Sequence, residues 1–159
     1  MVDTPYSVLK KTPARYRTVH FQQIKEAGGK FAMLTCYDAM TAAIFDDAGI
    51  ETLLIGDSLG NVVQGQNSTL GVTMDDMITF SKAVVAGTER ALVLADLPFG
   101  SYEESVEQAV ASGIRLVKET GISAVKMEGG IEYVPHIQAL TAAGVPVVAH
   151  TGFTPQSEH

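Results

Sequence analysis

The sequence predicts an α/β fold in which parallel strands alternate with helices. Three observations support this fold: five short apolar runs have the length of strands, helical segments separate them, and polar residues follow most of the runs at their C-terminal ends. Because parallel strands end at the same edge of a sheet, we expect these polar residues to share one working face. The predicted strands are FAMLTCYD (31–38), ETLLIGDS (51–58), ALVLADLP (91–98), SAVKMEGG (123–130) and VPVVAHTG (145–152).

The segments between the strands carry helix signals. Thr73 with Asp76, and Ser101 with Glu104, have the spacing of capping boxes at two helix starts. The predicted helices cover 19–27, 39–48, 74–87, 101–120 and 135–144. In the fourth of these, four apolar residues at helical spacing predict a stripe that faces the sheet: Val106, Val110, Ile114 and Val117.

The length predicts one domain. A chain of 159 residues that is 46% hydrophobic buries one sizeable core, after an irregular leader over residues 1–18. An open doubly wound sheet and a (β/α)8 barrel both fit the alternation of strands and helices. The sequence has no G-x-G-x-x-G after the first strand and no Walker motif, which weakens a nucleotide-binding version. An eight-stranded barrel needs ~250 residues, so as a barrel the chain would be about three βα units short.

Charge and cysteine content narrow the environment. The formal net charge of −7 disfavours nucleic acid or an anionic membrane as a partner. No stretch has the ~18 apolar residues of a membrane span, and the N-terminus lacks the apolar core of a signal peptide. The single cysteine, Cys36, excludes an internal disulfide and fits a reducing cytoplasm. Its apolar strand predicts a packed, inert thiol.

The acidic strand ends are the candidate site. Asp57, followed by Ser58, and Asp96 end two successive strands, as Asp38 ends the first. Carboxylate oxygens are hard ligands that suit Mg²⁺, whereas no histidine pair has the spacing of a zinc site. Taken singly, Asp57 or Asp96 also fits a turn or a helix cap.

Basic and acidic residues also occur inside the fourth strand. Lys126 and Glu128 lie two residues apart and therefore on the same side of that strand, facing the barrel mouth, with Val125 and Met127 on the other side. A buried Lys–Glu ion pair with a structural role is the alternative. The histidines carry less information: His150 is either a substrate contact or a core residue, His136 and His159 are expected at the surface, and His20 has no assignment.

Five segments together carry a resemblance to a known family. They are LTCYDAMTAAIFDDAGI (34–50), LLIGDSLGNVVQGQNSTLGVTMDDM (53–77), LVLADLPFGSY (92–102), AVKMEGG (124–130) and VVAHTGFTPQS (147–157). From about residue 18 to its end, the chain resembles ketopantoate hydroxymethyltransferase, the 3-methyl-2-oxobutanoate hydroxymethyltransferase of pantothenate biosynthesis. The resemblance implies a (β/α)8 barrel that binds Mg²⁺ and forms a homo-oligomer, commonly a decamer. Residues 19–159 would be the N-terminal part of this barrel, and the chain would cover about 60% of the family's length.

The resemblance also implies roles for the candidate residues. Mg²⁺ would be held by Asp57 and Asp96, with Glu128 as a direct ligand or a neighbouring partner. The substrate 3-methyl-2-oxobutanoate would contact the metal site as well as Ser58, Lys126 and His150, and 5,10-methylenetetrahydrofolate would supply the hydroxymethyl group that gives ketopantoate.

The family's catalytic base is a glutamate on a strand beyond the end of this chain. No residue here matches it, and Glu158 lies in the wrong place. The segment 61–72 is expected to line the site or a subunit contact. The expected partners are thus a small 2-oxo acid, a folate and further copies of the chain, in the cytoplasm.

Two other functions stay open. One is a different Mg²⁺-dependent enzyme that acts on a 2-oxo acid, among the phosphoenolpyruvate-binding barrels, although the loop over 56–73 argues against it. The other is a truncated, non-catalytic homologue or partner subunit.

Overall fold

Five parallel strands form one sheet in which neighbours along the chain are also neighbours in the sheet. The computed structural model describes residues 13–158, and in it the strand order is β1-β2-β3-β4-β5. This order excludes the doubly wound sheet, whose strand order reverses at a switch point. All five predicted strands are confirmed, although each is shorter than its apolar run. Their bounds are β1 (Met33–Thr35), β2 (Thr52–Ile55), β3 (Leu92–Asp96), β4 (Ala124–Glu128) and β5 (Val147–His150).

After the first helix, helices connect the strands and cover one side of the sheet. The capping box of Thr73 and Asp76 is confirmed, since the Asp76 N–H donates to Thr73 Oγ1 (3.1 Å) and the Thr73 N–H donates to Asp76 Oδ2 (2.9 Å). Short 3₁₀ turns cover 131–133 and 155–157. The helices are α1 (Thr18–Glu26), α2 (Ala39–Asp47), α3 (Leu59–Val62), α4 (Met74–Ala86), α5 (Val106–Thr120) and α6 (Val134–Ala142).

The predicted capping box at Ser101 and Glu104 is wrong. Helix α5 begins five residues later, and Ser105 is its cap, with Oγ accepting from the Gln108 N–H at 3.1 Å. In place of a helix, residues 99–104 form turns and bends, and Tyr102 is buried there with its hydroxyl donating to Gln156 Oε1. No sequence spacing encodes that tertiary contact.

The predicted stripe on α5 is confirmed only in part: Val110 and Val117 are partly buried and pack against the core, but the most buried face of the helix differs from the stripe. The buried residues of the helix are Ala109, Gly113, Leu116 and Thr120, whereas Ile114 is 43% exposed. Gly113 explains the choice of face, because a Cβ at this position would lie 2.5 Å from Leu140 Cδ2. Helix α6 therefore packs against α5 where the side chains are smallest.

The sheet separates two cores. The larger one lies between the sheet and helices α2–α6 and contains the outward-facing strand residues, among them Val93, Ala95, Val125 and Met127. The smaller one lies on the inner face, where Leu92, Leu94 and Ala124 pack against Tyr16 and Ile24. Residues 1–12 of the predicted leader lie outside the described residues, but Tyr16, within it, is buried, and its N–H donates to Arg90 O at 2.7 Å.

A carboxylate anchors the start of β3 at the end of the sheet opposite the acidic strand ends. Asp46 of α2 is buried and accepts hydrogen bonds from the N–H groups of Glu89, Arg90 and Ala91 at 3.0, 3.0 and 2.6 Å. Its role is to satisfy backbone donors where the chain enters the sheet.

The inner face also holds an apolar cavity next to the smaller core. Its volume is about 210 Å³, and Phe21, Phe31, Met33, Leu94 and Val148 are among the residues that line it. Within residues 13–158, no helix has the length and apolarity needed to cross a membrane.

Candidate active site

The carboxyl ends of β3, β4 and β5 bring charged side chains together on the inner face. The strand register places Asp96 beside Lys126, and Glu128 beside His150. Since alternate strand residues share a face, all four point to the inner side, while the neighbouring Met127 is buried in the outer core. The predicted orientation of Lys126 and Glu128 is therefore confirmed.

Asp96 lies at the centre of this group and is 3% exposed. Its Oδ1 is 2.5 Å from the Lys126 ammonium, and its Oδ2 accepts the Asp57 N–H at 3.1 Å. Burial raises the pKa of the Asp96 carboxyl to about 6, and the negative charge of Asp57 adds to that rise, although Lys126 opposes it. Asp96 is thus a carboxylate that a further positive charge would stabilise.

Asp57 and Ser58 follow β2 and reach the same place. Asp57 is buried, and Ser58 Oγ lies 2.8 Å from the hydroxyl of Tyr37. A Cβ at Gly56 would lie 2.8 Å from Ser58 Oγ and 3.6 Å from Asp96 Oδ2, so the glycine leaves room for both groups. Tyr37 is a site neighbour that sequence reasoning missed. Burial, assisted by the nearby charges of Asp96 and Asp57, raises its pKa.

Glu128 and His150 form a second pair, so the alternative of a Lys126–Glu128 ion pair is wrong. Lys126 turns to Asp96, and Glu128 Oε1 lies 3.3 Å from His150 Nδ1. Glu128 is buried, whereas a third of the His150 side chain is exposed. His150 is therefore the most exposed of these four side chains.

Gln156, which sequence reasoning also missed, joins these pairs. It lies in the 3₁₀ turn after β5, is 2% exposed, and donates from Nε2 to Asp57 Oδ2 (2.8 Å) and to Leu97 O (3.0 Å). Its backbone N–H donates to Glu128 Oε2 (3.0 Å). Asp57, Asp96, Lys126, Glu128 and His150 are thus connected by direct contacts or through Gln156.

Other predicted residues lie elsewhere. Asp38 is exposed and caps α2, accepting from the Thr41 N–H at 2.8 Å, so it takes no part in the group. Cys36 is buried, and burial raises the pKa of its thiol, which confirms the packed cysteine. The prediction that His136 lies at the surface is wrong, because its ring is partly buried against Tyr133, with the two ring centroids 5.0 Å apart. His159 lies outside the described residues.

The segment 61–72 folds back on α4. Gln66 Nε2 donates to Gln64 Oε1 (2.7 Å), and Gln64 Nε2 donates to Asp76 Oδ1 (2.9 Å). These bonds fix the loop locally. Its role at the site or at a subunit contact stays a prediction.

The donor set suits a divalent cation that binds through few protein ligands. Within residues 13–158, no three His, Cys, Asp or Glu side chains converge closely enough to hold a metal alone. Mg²⁺ in proteins commonly uses one or two carboxylates and completes its octahedron with water and substrate oxygens. Asp57 and Asp96 fit that requirement, because both are buried and in contact through the Asp57 N–H and Asp96 Oδ2, with Lys126 paired to Asp96.

Comparison with known protein families gives a match that covers most of the chain. A family model described as ketopantoate hydroxymethyltransferase matches residues 15–159. The chain belongs to this family.

The relatives within the family are close in sequence. The 3-methyl-2-oxobutanoate hydroxymethyltransferase of Arthrobacter sp. (strain FB24) is 56% identical over 156 residues, which cover 98% of this chain and 52% of the relative. That of Corynebacterium efficiens is 55% identical over 145 residues, 91% of this chain and 54% of the relative. The chain thus spans about half the length of the curated relatives that it matches, somewhat less than predicted.

Solved structures with the same fold have different chemistry. A phosphoenolpyruvate phosphomutase from Streptomyces platensis subsp. rosaceus superposes with a TM-score of 0.65 at 16% identity, over 84% of this chain and 53% of the other. A phosphonopyruvate hydrolase, in complex with oxalate and Mg²⁺, gives 0.64 at 17% identity, over 78% and 48%. These likenesses support the predicted barrel-type fold and concern the fold alone.

Proposed function

We propose that the protein transfers a hydroxymethyl group from 5,10-methylenetetrahydrofolate to 3-methyl-2-oxobutanoate, giving ketopantoate, and that this chain supplies the Mg²⁺ and 2-oxo acid sites. The observation that carries the proposal is the buried group of Asp57, Asp96 and Lys126 at the carboxyl ends of the strands. Membership of the hydroxymethyltransferase family supports the choice of reaction.

In this proposal Asp57 and Asp96 hold the cation, with Glu128 at the edge of the site. Bound Mg²⁺ supplies a Lewis acid that polarises the oxo group of the substrate. Lys126 places a positive charge beside Asp96, where it attracts the anionic 2-oxo acid and offsets negative charge that develops on a substrate oxygen. The Ser58 hydroxyl and the partly exposed His150 ring offer hydrogen bonds to the same molecule.

Proton abstraction and folate binding are assigned to no residue of 13–158. Both oxygens of Asp96 already have close contacts, one with Lys126 and one with the Asp57 N–H. Both oxygens of Glu128 do too, one with His150 and one with the Gln156 N–H. The proposal therefore gives these carboxylates binding and orienting roles.

The lyase and phosphomutase alternative has weaker support. Identity above 50% with hydroxymethyltransferases outweighs identity below 20% with phosphoenolpyruvate-type enzymes, because the latter reflects a fold that serves many chemistries.

Ligand binding tests the proposal directly. Saturation-transfer NMR would compare 3-methyl-2-oxobutanoate, phosphonopyruvate and oxaloacetate, each with Mg²⁺ and again with a chelator. We expect the branched 2-oxo acid to bind best, with binding lost on chelation and in Asp96→Asn. Asp47→Asn, at an exposed position of α2, is the matched control and should bind normally. Preference for phosphonopyruvate, or binding that ignores the chelator, would overturn the proposal.

Deuterium exchange at C3 of the bound acid separates binding from proton abstraction. Exchange in D₂O that depends on Mg²⁺ would show that the chain also provides a base, which contradicts the assignment of binding roles alone. Binding without exchange is the expected result.

A homo-oligomer in the cytoplasm is the remaining part of the proposal. Met40 and Ile44 lie one turn apart on α2 and are 79% and 64% exposed, an apolar pair that a subunit contact would cover. The single cysteine fits a reducing compartment. Sedimentation velocity should show a concentration-dependent oligomer that Ile44→Glu dissociates, while a monomer at all concentrations would refute this part.

A further inference from the structure

Gln156 has more polar contacts than a residue that merely fills space requires. Its Nε2 donates to Asp57 Oδ2 and Leu97 O, its Oε1 accepts from the Tyr102 hydroxyl, and its backbone N–H donates to Glu128 Oε2. The side chain is 2% exposed, so water does not substitute for any of these partners. One residue thus bonds to chain segments at the ends of β2, β3 and β4.

The hydrogen-bond network fixes which way the amide points. Asp57 and Leu97 present only acceptors to it, while the Tyr102 hydroxyl donates. A flipped amide would place Oε1 against a carboxylate and a carbonyl oxygen, leaving buried acceptors unpaired. Tyr102, itself buried, supports the orientation that donates to Asp57 by donating to Oε1.

We propose that Gln156 is a positioning residue for the cation site, acting through Asp57 and Glu128. This inference rests on the proposed function, because it assumes that Asp57 helps to hold Mg²⁺. The amide fixes one oxygen of Asp57, and the backbone N–H fixes one oxygen of Glu128. The cation and the 2-oxo acid then meet carboxylates that are already oriented.

A neutral amide is the group that fits this task. A lysine between Asp57 and Glu128 would neutralise the charge that attracts the cation, and a glutamate would repel both carboxylates. Glutamine donates hydrogen bonds while leaving the negative charge of the site unchanged.

Manganese affinity tests the inference, since Mn²⁺ replaces Mg²⁺ at oxygen-rich sites and free Mn²⁺ is counted by electron paramagnetic resonance. Gln156→Leu keeps the size but removes both side-chain donors. Substitution of a residue that orients metal ligands typically weakens metal affinity 10- to 100-fold. We therefore expect the Mn²⁺ dissociation constant of this variant to rise at least about tenfold. Tyr102→Phe keeps the amide but removes the donor to its Oε1, so it should shift the constant in the same direction by less.

Asp46→Asn is the control for a purely structural role. It weakens the anchor at the start of β3, at the opposite end of the sheet, so it should lower the melting temperature without changing Mn²⁺ affinity. The inference is overturned if folded Gln156→Leu binds Mn²⁺ as the wild type does, or if Asp46→Asn weakens binding equally. Should Gln156→Leu fail to fold by circular dichroism, unchanged affinity in Tyr102→Phe would overturn it.

A wild-type chain that binds no Mn²⁺ gives a different result from these. That outcome would refute the proposed metal site, and the inference would fall with it. Wild-type binding together with an unaffected Gln156→Leu would refute the inference alone.

Discussion

Leu94 and Asp96 lie on the same side of the same strand, two residues apart, yet they belong to regions of opposite chemistry. Leu94 is buried with Leu92 and Ala124 against Tyr16 and Ile24, in an apolar core. Asp96 is equally buried, but it contacts Lys126 and the Asp57 N–H. One step along the inner face separates the region that stabilises the sheet from the region that we expect to bind ligand, which is the division of labour typical of parallel barrels.

A substitution at Leu94 gives the largest expected effect and tests whether the two regions are independent. Leu94→Ala should lower the free energy of unfolding by about 3 to 4 kcal/mol, because it removes a fully buried side chain beside an existing cavity. Urea unfolding measures this loss. Binding of Mg²⁺ and 2-oxo acid to the folded variant should match the wild type, and weakened binding would show that the two regions are coupled.

On the charged side of the comparison, the protonation of Asp96 should make the stability of the protein depend on pH. The pKa of Asp96 is about 6 in the folded state against 3.8 ordinarily, so the folded state holds the proton more tightly. Stability in metal-free buffer should therefore fall as pH rises from about 4 to about 6, by about 2 to 3 kcal/mol from this group.

Asp96→Asn should remove that part of the pH dependence, and Asp47→Asn should keep it. Urea unfolding at several pH values with chelator present measures the slopes. Identical slopes in the wild type and Asp96→Asn would mean that Asp96 titrates normally.

Lys126→Gln sharpens the comparison on the ligand side. Glutamine still donates a hydrogen bond towards Asp96 but lacks the positive charge that favours an anionic ligand. We expect the dissociation constant for 3-methyl-2-oxobutanoate to rise about tenfold, close to 1.4 kcal/mol. Calorimetric titration measures it, with Lys118→Gln on the exposed side of α5 as the charge-matched control. If both variants weakened binding equally, the effect of Lys126 would come from the net charge of the protein and not from its position.

Asp38 gives the smallest expected effect and tests whether every strand-end carboxylate is functional. Asp38→Ala removes the cap of α2 and should lower stability by about 1 kcal/mol. Ligand binding should not change. A variant with normal stability but impaired binding would place Asp38 in the site after all.

Much of the fold was predictable because its signals are local. Apolar runs and the Thr73 capping box identify all five strands and the start of α4 from a few neighbouring residues. The stripe on α5 was only partly right, because the approach of α6 at Gly113, a tertiary contact, decides which face of the helix is most buried.

The candidate site divides in the same way. Asp57, Asp96, Lys126 and Glu128 were predictable because strand ends and alternation place them. Gln156 was not, since it meets Asp57 across 99 residues of chain and lies in a short turn with no periodic signal. The pairing of Lys126 with Asp96 was not predictable, because sequence shows which residues share a face, whereas neighbouring strands decide which of them touch.

The sequential order of the strands has a consequence for biosynthesis. Each strand hydrogen-bonds to strands that directly precede or follow it in the chain, so the sheet can grow one βα unit at a time as the polypeptide leaves the ribosome. Asp57 and Asp96 would then meet early, and Gln156, translated long afterwards, would join them last. Most of the sheet would therefore form before the ligand site is complete.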